Sequence, residues 1–153
     1  MTRPAFEPQF AGYRERLIES FHSQQVMHTL GATLGDVRPG GVAIEFPFRP
    51  DWSQQHGFVH AGIIATVLDS ACGYAAFSLM PENAAVLTVE FKINLLSPAA
   101  GDTFRAVGTV VKPGRTITVT EGEMFAVTGS EEKLIASMVG TIMSVFDRPG
   151  VEG

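Results

Sequence analysis

Hydrophobic side chains recur at helical spacing near the start of the chain, and Arg and Glu occupy positions between them. The hydrophobic positions are Phe10, Tyr13, Leu17, Ile18 and Phe21. Because intervals of three and four residues return to one face of a helix, this pattern predicts an amphipathic helix over 10–21. A short helical turn over 24–30 is expected to follow it.

A long apolar stretch over 61–80 is the second feature of the pattern. It carries one charged residue, Asp69, and the run 81–83 ends it. A segment that is apolar on nearly every side is typical of a helix buried in a core. The stretch is about as long as a bilayer requires, but its small and polar residues and the lack of a basic flank argue against a membrane span.

Alternation of apolar and polar residues predicts two strands before this helix and four after it, separated by turns rich in Gly, Pro and Ser. The predicted strands cover 32–37, 42–48, 84–96, 102–112, 116–127 and 133–145. Residues 51–59 follow neither periodicity and are predicted to be a loop. Short turns join the last four strands, so we expect an antiparallel meander curled around one helix in an α+β fold.

Length and charge narrow the class of protein. The 153 residues predict a single domain over 1–153, with short tails at about 1–8 and 147–153. With 16 acidic and 11 basic residues, the net charge is −5 and no cluster of Lys or Arg occurs, so no nucleic-acid partner is expected. One cysteine, Cys72, excludes an intramolecular disulfide framework. No signal peptide is recognisable at the start, which predicts a cytoplasmic protein.

Asp69 is the first candidate for chemistry. It is the only charge in the predicted buried helix, and no Lys or Arg lies one turn away from it. Burying an unpaired carboxylate is costly, so its pKa should be perturbed unless it faces a wet cleft. Strongly perturbed groups cluster at active sites, yet a carboxylate satisfied by hydrogen bonds on an exposed helix surface gives the same pattern. The residues alone leave both interpretations open.

The start of the same helix, His60-Ala61-Gly62, is the second candidate. A helix N-terminus presents unpaired N–H groups and a positive dipole end, which suit an oxyanion. His60 and Asp69 are nine residues apart, about half a rotation and about 13 Å along the axis. They therefore cannot line one pocket within a single helix. If both belong to one site, a second subunit must complete it across a two-fold axis, which predicts a homodimer with shared sites.

A metal site and a cysteine nucleophile have weaker support in the sequence. His56 and His60 are four residues apart, as metal ligands can be, but Gly57 interrupts helix geometry and no third ligand stands nearby. Cys72 lies about 18 Å from His60 along the helix, too far for that base to activate it. We predict no metal site and a buried, unreactive cysteine.

The residues around these candidates resemble a known family. They are the run from Gln54 to Gly62, the run 67–76, and 89–94 with Ser97-Pro98. On these residues the chain resembles the hotdog-fold acyl-CoA thioesterases of the phenylacetic-acid-degradation (PaaI-like) type, over about 30–146. The resemblance implies a hotdog fold, a sheet curled around one long buried helix, and dimers that pair into a dimer of dimers.

The resemblance also implies roles for single residues. Asp69, nine residues after His60, stands where the family has its nucleophile or general base. Gln54 would bind the thioester region or the attacking water, and the Ala61 N–H would polarise the thioester carbonyl. Ala61 stands where the family usually has Gly, and its methyl group narrows the pocket. Thr88 matches the family's Ser or Thr on the strand after the helix. Independently of the resemblance, His60 is expected to anchor the helix start by side-chain hydrogen bonding.

Three of the residues to which the resemblance gives a role, Thr88, Lys112 and Arg115, have an alternative interpretation. Simple alternation along the strand puts Thr88 with Glu90 and Lys92, on the face opposite the apolar side chains. Lys112 and Arg115 flank a hairpin tip, where charges are usually only solvated. The resemblance implies that one or both contact a CoA phosphate, which local positive charge on an acidic protein would favour.

The resemblance therefore implies an enzyme that hydrolyses acyl-CoA to a free acid and CoA, without a metal or redox cofactor. Trp52, Phe58, Tyr74 and Phe77 are either core residues or aromatic walls of the acyl site. The resemblance to enzymes of aromatic-acid metabolism implies that the acyl group is aryl-acetyl or medium-chain. One alternative is a hotdog dehydratase or hydratase acting on acyl thioesters, which the offset of His60 from Asp69 disfavours. The other is a non-catalytic acyl-CoA binding module, which would not need Asp69.

Overall fold

The secondary structure follows the predicted order in the computed structural model, which describes residues 3–152. The elements are α1 (Tyr13–Ser23), α2 (Gln25–Thr29), β1 (Thr33–Arg38), β2 (Gly41–Pro47), a 3₁₀ turn (Pro50–Trp52), α3 (Ala61–Phe77), β3 (Ala84–Leu95), β4 (Thr103–Lys112), β5 (Ile117–Thr128) and β6 (Glu131–Phe146). Their ends lie within three residues of the predicted ones. The periodicity of the chain was therefore sufficient to predict the elements.

The prediction of a four-strand meander was wrong for β3. The sheet order is β1-β2-β4-β5-β6-β3, with every neighbouring pair antiparallel, so β3 lies at an edge beside β6 and β2 takes the place next to β4. The segment after β3 does not turn back on that strand. It is held to β6 by the Leu96 N–H, which donates to the Ile135 carbonyl at 2.8 Å, and to the loop before α3 by the Val59 N–H, which donates to the Ala99 carbonyl at 3.1 Å.

The sheet curls around α3, which has 17 residues and packs against β2, β3, β4, β5 and β6. This arrangement is the hotdog fold expected from the resemblance. Most of α3 is buried because the sheet covers one side, while α1 packs on the other through Leu17 and Phe21. None of the helices in the part of the chain that the structure describes has both the length and the hydropathy needed to cross a membrane.

Glycines allow the middle of α3 to lie directly on the sheet. Gly108 of β4 pairs with Gly122 of β5 beneath Ala71 and Cys72. A Cβ on Gly108 would lie 2.3 Å from the backbone carbonyl atoms of Ala71, and one on Gly122 would lie 2.9 Å from the Cys72 Sγ. Only a residue without a side chain permits this approach, which fixes the height of α3, and of Asp69 on it, above the sheet.

The C-terminal end of α3 is held by Arg16 of α1. Its guanidinium donates to the carbonyl oxygens of Phe77, Met80 and Pro81 at 2.9, 3.0 and 2.7 Å. It also lies over the Phe77 ring, 4.1 Å from the ring centroid. The last carbonyls of a helix have no partners within it, and a cation there is favoured by the helix dipole. These contacts tie α1 to residues 77–81, where α3 ends at Phe77, three residues before the predicted end at 80.

Candidate active site

Asp69 lies half-buried on α3, beside the edge strand β3. Its Oδ1 accepts a hydrogen bond of 2.7 Å from the Thr88 Oγ1. Burial raises the pKa of the Asp69 carboxyl above its ordinary value, and the Thr88 hydrogen bond opposes that rise only in part. No Lys or Arg within residues 3–152 forms an ion pair with it. The carboxylate is thus poised to accept a proton more readily than an ordinary surface Asp.

A β-bulge brings Thr88 to Asp69, so the simple alternation of β3 was wrong at this point. Thr88 pairs with Ile142 of β6, and the next paired residue is Glu90, opposite Thr141, so Val89 is the extra residue of the bulge. The bulge reverses the alternation: Thr88 faces α3 together with the buried Ile142, whereas Glu90 faces away. Without it, Thr88 and the apolar Phe91 could not both face the helix.

The side chains around Asp69 form a cavity of about 340 Å³. Its walls come from α3 and β3, and also from α1 and the junction between α1 and α2. The polar residues that line it besides Asp69 and Thr88 are Ser20, Gln24, Ser70, Tyr74 and Glu152. No local pattern in the sequence marks Ser20, Gln24 or Ser70 as site residues, because only the packing of α1 on α3 brings them there.

The start of α3 carries a free backbone donor. The His60 Nδ1 accepts a 2.9 Å hydrogen bond from the Gly62 N–H, and the His60 carbonyl accepts from Ile63 and Ile64. His60 therefore acts as the N-cap, the anchoring role expected from its place at the helix start. Within residues 3–152 no acceptor is bonded to the Ala61 N–H, which is exposed at the first position of the helix.

Gln54 lies in a tight turn that leads to this helix start. The Gly57 N–H donates to the Gln54 carbonyl at 2.9 Å, and the Gln54 N–H donates to the Phe58 carbonyl at 2.7 Å. Gly57 has φ +85°, a conformation that favours glycine. The turn places Gln54 with His60 and Ala61 around a cavity of about 510 Å³. Its apolar walls include Phe58, Ile64, Leu95 and Ile135.

Within one protomer these groups form two separate clusters. Gln54, His60 and Ala61 line the cavity at the start of α3, and Asp69 and Thr88 line the cavity beside β3. No residue lines both cavities. His60 caps α3 and Asp69 lies nine residues further along it, which at the rise of an α-helix separates them by about 13 Å along the axis.

Lys112 and Arg115 join neither cluster. They flank the turn after β4, at the opposite end of α3 from Ala61. Arg115 borders a third cavity, of about 810 Å³, together with Met80, Phe146 and Asp147, whereas Lys112 is exposed and does not line it. A contact of these residues with a CoA phosphate stays a prediction.

The aromatic residues divide between core and cavities. Phe77 is fully buried and Trp52 is nearly so, which makes both of them packing residues. Phe58 lines the Gln54 cavity, and Tyr74 lines the Asp69 cavity with its ring otherwise buried. Two of the four aromatic residues therefore remain able to contact a bound acyl group.

Known proteins were compared with this chain by sequence and by structure. A family model described as the thioesterase superfamily matches residues 56–133. A thioesterase family protein from Silicibacter pomeroyi is 53% identical, with a TM-score of 0.87 over 88% of this chain and 99% of that one. A protein of Halobacterium salinarum assigned provisionally as an esterase is 32% identical over 111 residues, 69% of this chain and 73% of the relative.

A more distant structure has the same fold. The Escherichia coli PaaI protein from the phenylacetic acid degradation operon superimposes with a TM-score of 0.79 over 92% of this chain and 95% of its own. Its sequence is 20% identical, so the likeness is one of fold. The residues of the family match include His60, Asp69 and Thr88, whereas Gln54 lies just before it.

Proposed function

Because the chain belongs to the thioesterase superfamily, we propose that it hydrolyses acyl-CoA thioesters to a free acid and CoA. The observation that carries the proposal is the half-buried Asp69 carboxylate, hydrogen-bonded to Thr88 and not paired with any cation of residues 3–152. A carboxylate with a raised pKa is suited to accept a proton from water near neutral pH. We propose further that it is of the PaaI-like subtype and that it acts on aryl-acetyl or medium-chain acyl groups.

In the proposed reaction Asp69 acts as a general base or as the nucleophile. As a base it takes a proton from water, whose oxygen attacks the thioester carbon; the C–S bond then breaks and the CoA sulfur leaves as thiolate, to be protonated. The negative charge on the carbonyl oxygen is stabilised by the Ala61 N–H, which is free in the structure. The Gln54 amide holds the water or the thioester in place.

We infer that each site is shared between two protomers. The edge strand β3 has 12 residues, and Leu87, Val89, Phe91 and Leu95 along it are exposed. A free, apolar edge of this length favours antiparallel pairing with a second copy. Such pairing sets the early part of one β3, near Thr88, against the late part of the other. Because Leu95 lines the Gln54 cavity, that cavity would approach Asp69 of the partner protomer.

A panel of acyl-CoAs with detection of free thiol tests the function directly. We expect turnover of phenylacetyl-CoA or octanoyl-CoA to exceed that of acetyl-CoA by about tenfold in kcat/KM. The reason is that apolar walls such as Phe58 and Leu95 gain about 25 cal/mol for each Å² removed from water. No thiol release from any member would contradict hydrolysis. A preference for acetyl-CoA over both larger groups would contradict only the acyl class.

Thr88→Val is expected to change how hydrolysis depends on pH. The reaction needs the Asp69 carboxylate, so activity rises as pH rises through the pKa of Asp69. The Thr88 hydrogen bond lowers that pKa, and its loss leaves burial unopposed. The acidic limb of the kcat/KM profile should therefore move to higher pH, with a larger loss of activity in acid than in alkali.

Thr141→Val is the matched control for this shift. Thr141 lies on the adjacent strand β6, faces away from α3 and is bonded to Glu90 rather than to Asp69. The acidic limb of the kcat/KM profile of Thr141→Val should coincide with that of the wild type. An unchanged limb in Thr88→Val would show that Asp69 is not the group whose ionisation governs the rate.

A further inference from the structure

Two polar pairs join α1 to α3 beside Asp69. The Ser70 Oγ donates to the Gln24 Oε1 at 2.9 Å, and the Ser20 Oγ lies 3.4 Å from the Tyr74 hydroxyl. Ser20 and Gln24 are one helical turn apart in sequence, as are Ser70 and Tyr74. All four residues line the Asp69 cavity. The wall opposite β3 is thus polar, although most of the α1–α3 contact is apolar.

The Gln24 side-chain amide has hydrogen-bond donors that are not used within residues 3–152. Gln24 is the single residue between α1 and α2, with an extended backbone (φ −81°, ψ 100°), and its side chain is half-buried. The Ser70 hydroxyl occupies the Gln24 Oε1 and so orients the amide. Within residues 3–152 no hydrogen bond uses the Gln24 Nε2. An amide group has two N–H donors, which leaves them available to a bound molecule in the cavity.

We propose that Gln24 determines acyl specificity by donating a hydrogen bond to a neutral oxygen on the acyl group, close to the thioester. Gln24 and Asp69 line the same cavity of about 340 Å³, so an acyl group held beside the carboxylate lies within reach of the oriented amide. An oxygen on the third acyl carbon is three bonds from the carbon that is attacked, close enough to lie in the same cavity and accept from the amide. The preferred class is therefore a 3-hydroxyacyl or 3-oxoacyl thioester.

Charge selects a neutral oxygen rather than a carboxylate. Asp69 and Glu152 both line the cavity, and no Lys or Arg is among its lining residues. A second carboxylate on the acyl group would be repelled there. A hydroxyl or carbonyl oxygen can instead accept from Gln24 without that penalty. The inference rests on the proposed function, since it concerns the acyl group of the same reaction.

The test compares 3-hydroxybutyryl-CoA with butyryl-CoA, which have the same carbon chain. The wild type should favour the hydroxylated substrate by about tenfold in kcat/KM, the usual scale of one net hydrogen bond. In Gln24→Leu this preference should fall to about one, because kcat/KM falls more for 3-hydroxybutyryl-CoA than for butyryl-CoA. Gln25→Leu, on the exposed neighbouring residue, is the matched control and should keep the wild-type ratio.

Ser70→Ala keeps the test valid if Gln24→Leu fails to fold. It removes the hydroxyl that orients the amide, so the ratio of kcat/KM for 3-hydroxybutyryl-CoA to that for butyryl-CoA should fall to about threefold. Equal loss on both substrates in Gln24→Leu would overturn the inference, because the amide would then serve the CoA arm or the fold. An unchanged ratio would also overturn it while leaving hydrolysis intact. If no acyl-CoA releases thiol, the proposed function fails, and this inference with it.

Discussion

Asp69→Asn should lower kcat/KM for acyl-CoA hydrolysis by at least about a hundredfold, the usual scale for losing a general base or nucleophile. Asn keeps the size of the side chain and can still be hydrogen-bonded by Thr88, but it cannot take a proton from water. The measurement is free-thiol release at saturating and at low substrate. Both kcat and kcat/KM should fall, since the group acts in the transition state.

The same substitution should leave the fold intact and raise the melting temperature at neutral pH. The pKa of Asp69 is raised by burial, so the folded state penalises the ionised form. That penalty is absent below the unfolded pKa and is complete above the folded pKa. The difference in Tm between Asp69→Asn and the wild type should therefore disappear towards low pH.

Asp102→Asn is the control for a general effect of removing a carboxylate. Asp102 is exposed, in the turn before β4 and outside the Gln54 and Asp69 cavities. Its activity and its Tm should match those of the wild type. Near-normal turnover by Asp69→Asn in folded protein would rule out Asp69 as the reacting group.

Mixing two inactive variants should restore activity, which is the second large effect. In a heterodimer, one site combines the intact Gln54 of the Asp69→Asn protomer with the intact Asp69 of the Gln54→Ala protomer. The other site contains both substitutions. Equal mixing with free exchange makes about half of the dimers heterodimers. Activity should then rise from near background to about a quarter of the wild-type value.

Subunit exchange must be shown independently, for example by different affinity tags on the two variants and isolation of the doubly tagged dimer. The doubly tagged fraction should hold nearly all of the recovered activity. As a control, a mixture of Asp69→Asn with Asp69→Ala has no intact site in any dimer and should stay inactive. Isolated heterodimers without activity, with both parents inactive, would contradict the shared site.

The sequence by itself determined the elements of the fold and the two halves of the candidate site. Local periodicity decides whether a segment is a helix or a strand, so α3 and each strand were predictable from nearby residues. Helix geometry likewise converts nine residues into a distance, so the separation of His60 from Asp69 was known before any coordinates.

Only the tertiary structure decided which elements are neighbours. Alternation along β3 does not specify which strand pairs with it, so its place beside β6 was missed. The bulge at Val89 depends on register with β6, and it turns Thr88 towards Asp69 against the local pattern. Gln24 reaches the cavity because α1 packs on α3, a contact between residues 46 positions apart. Such contacts form between segments that are distant in sequence, so they cannot be predicted from local patterns of apolar and polar residues.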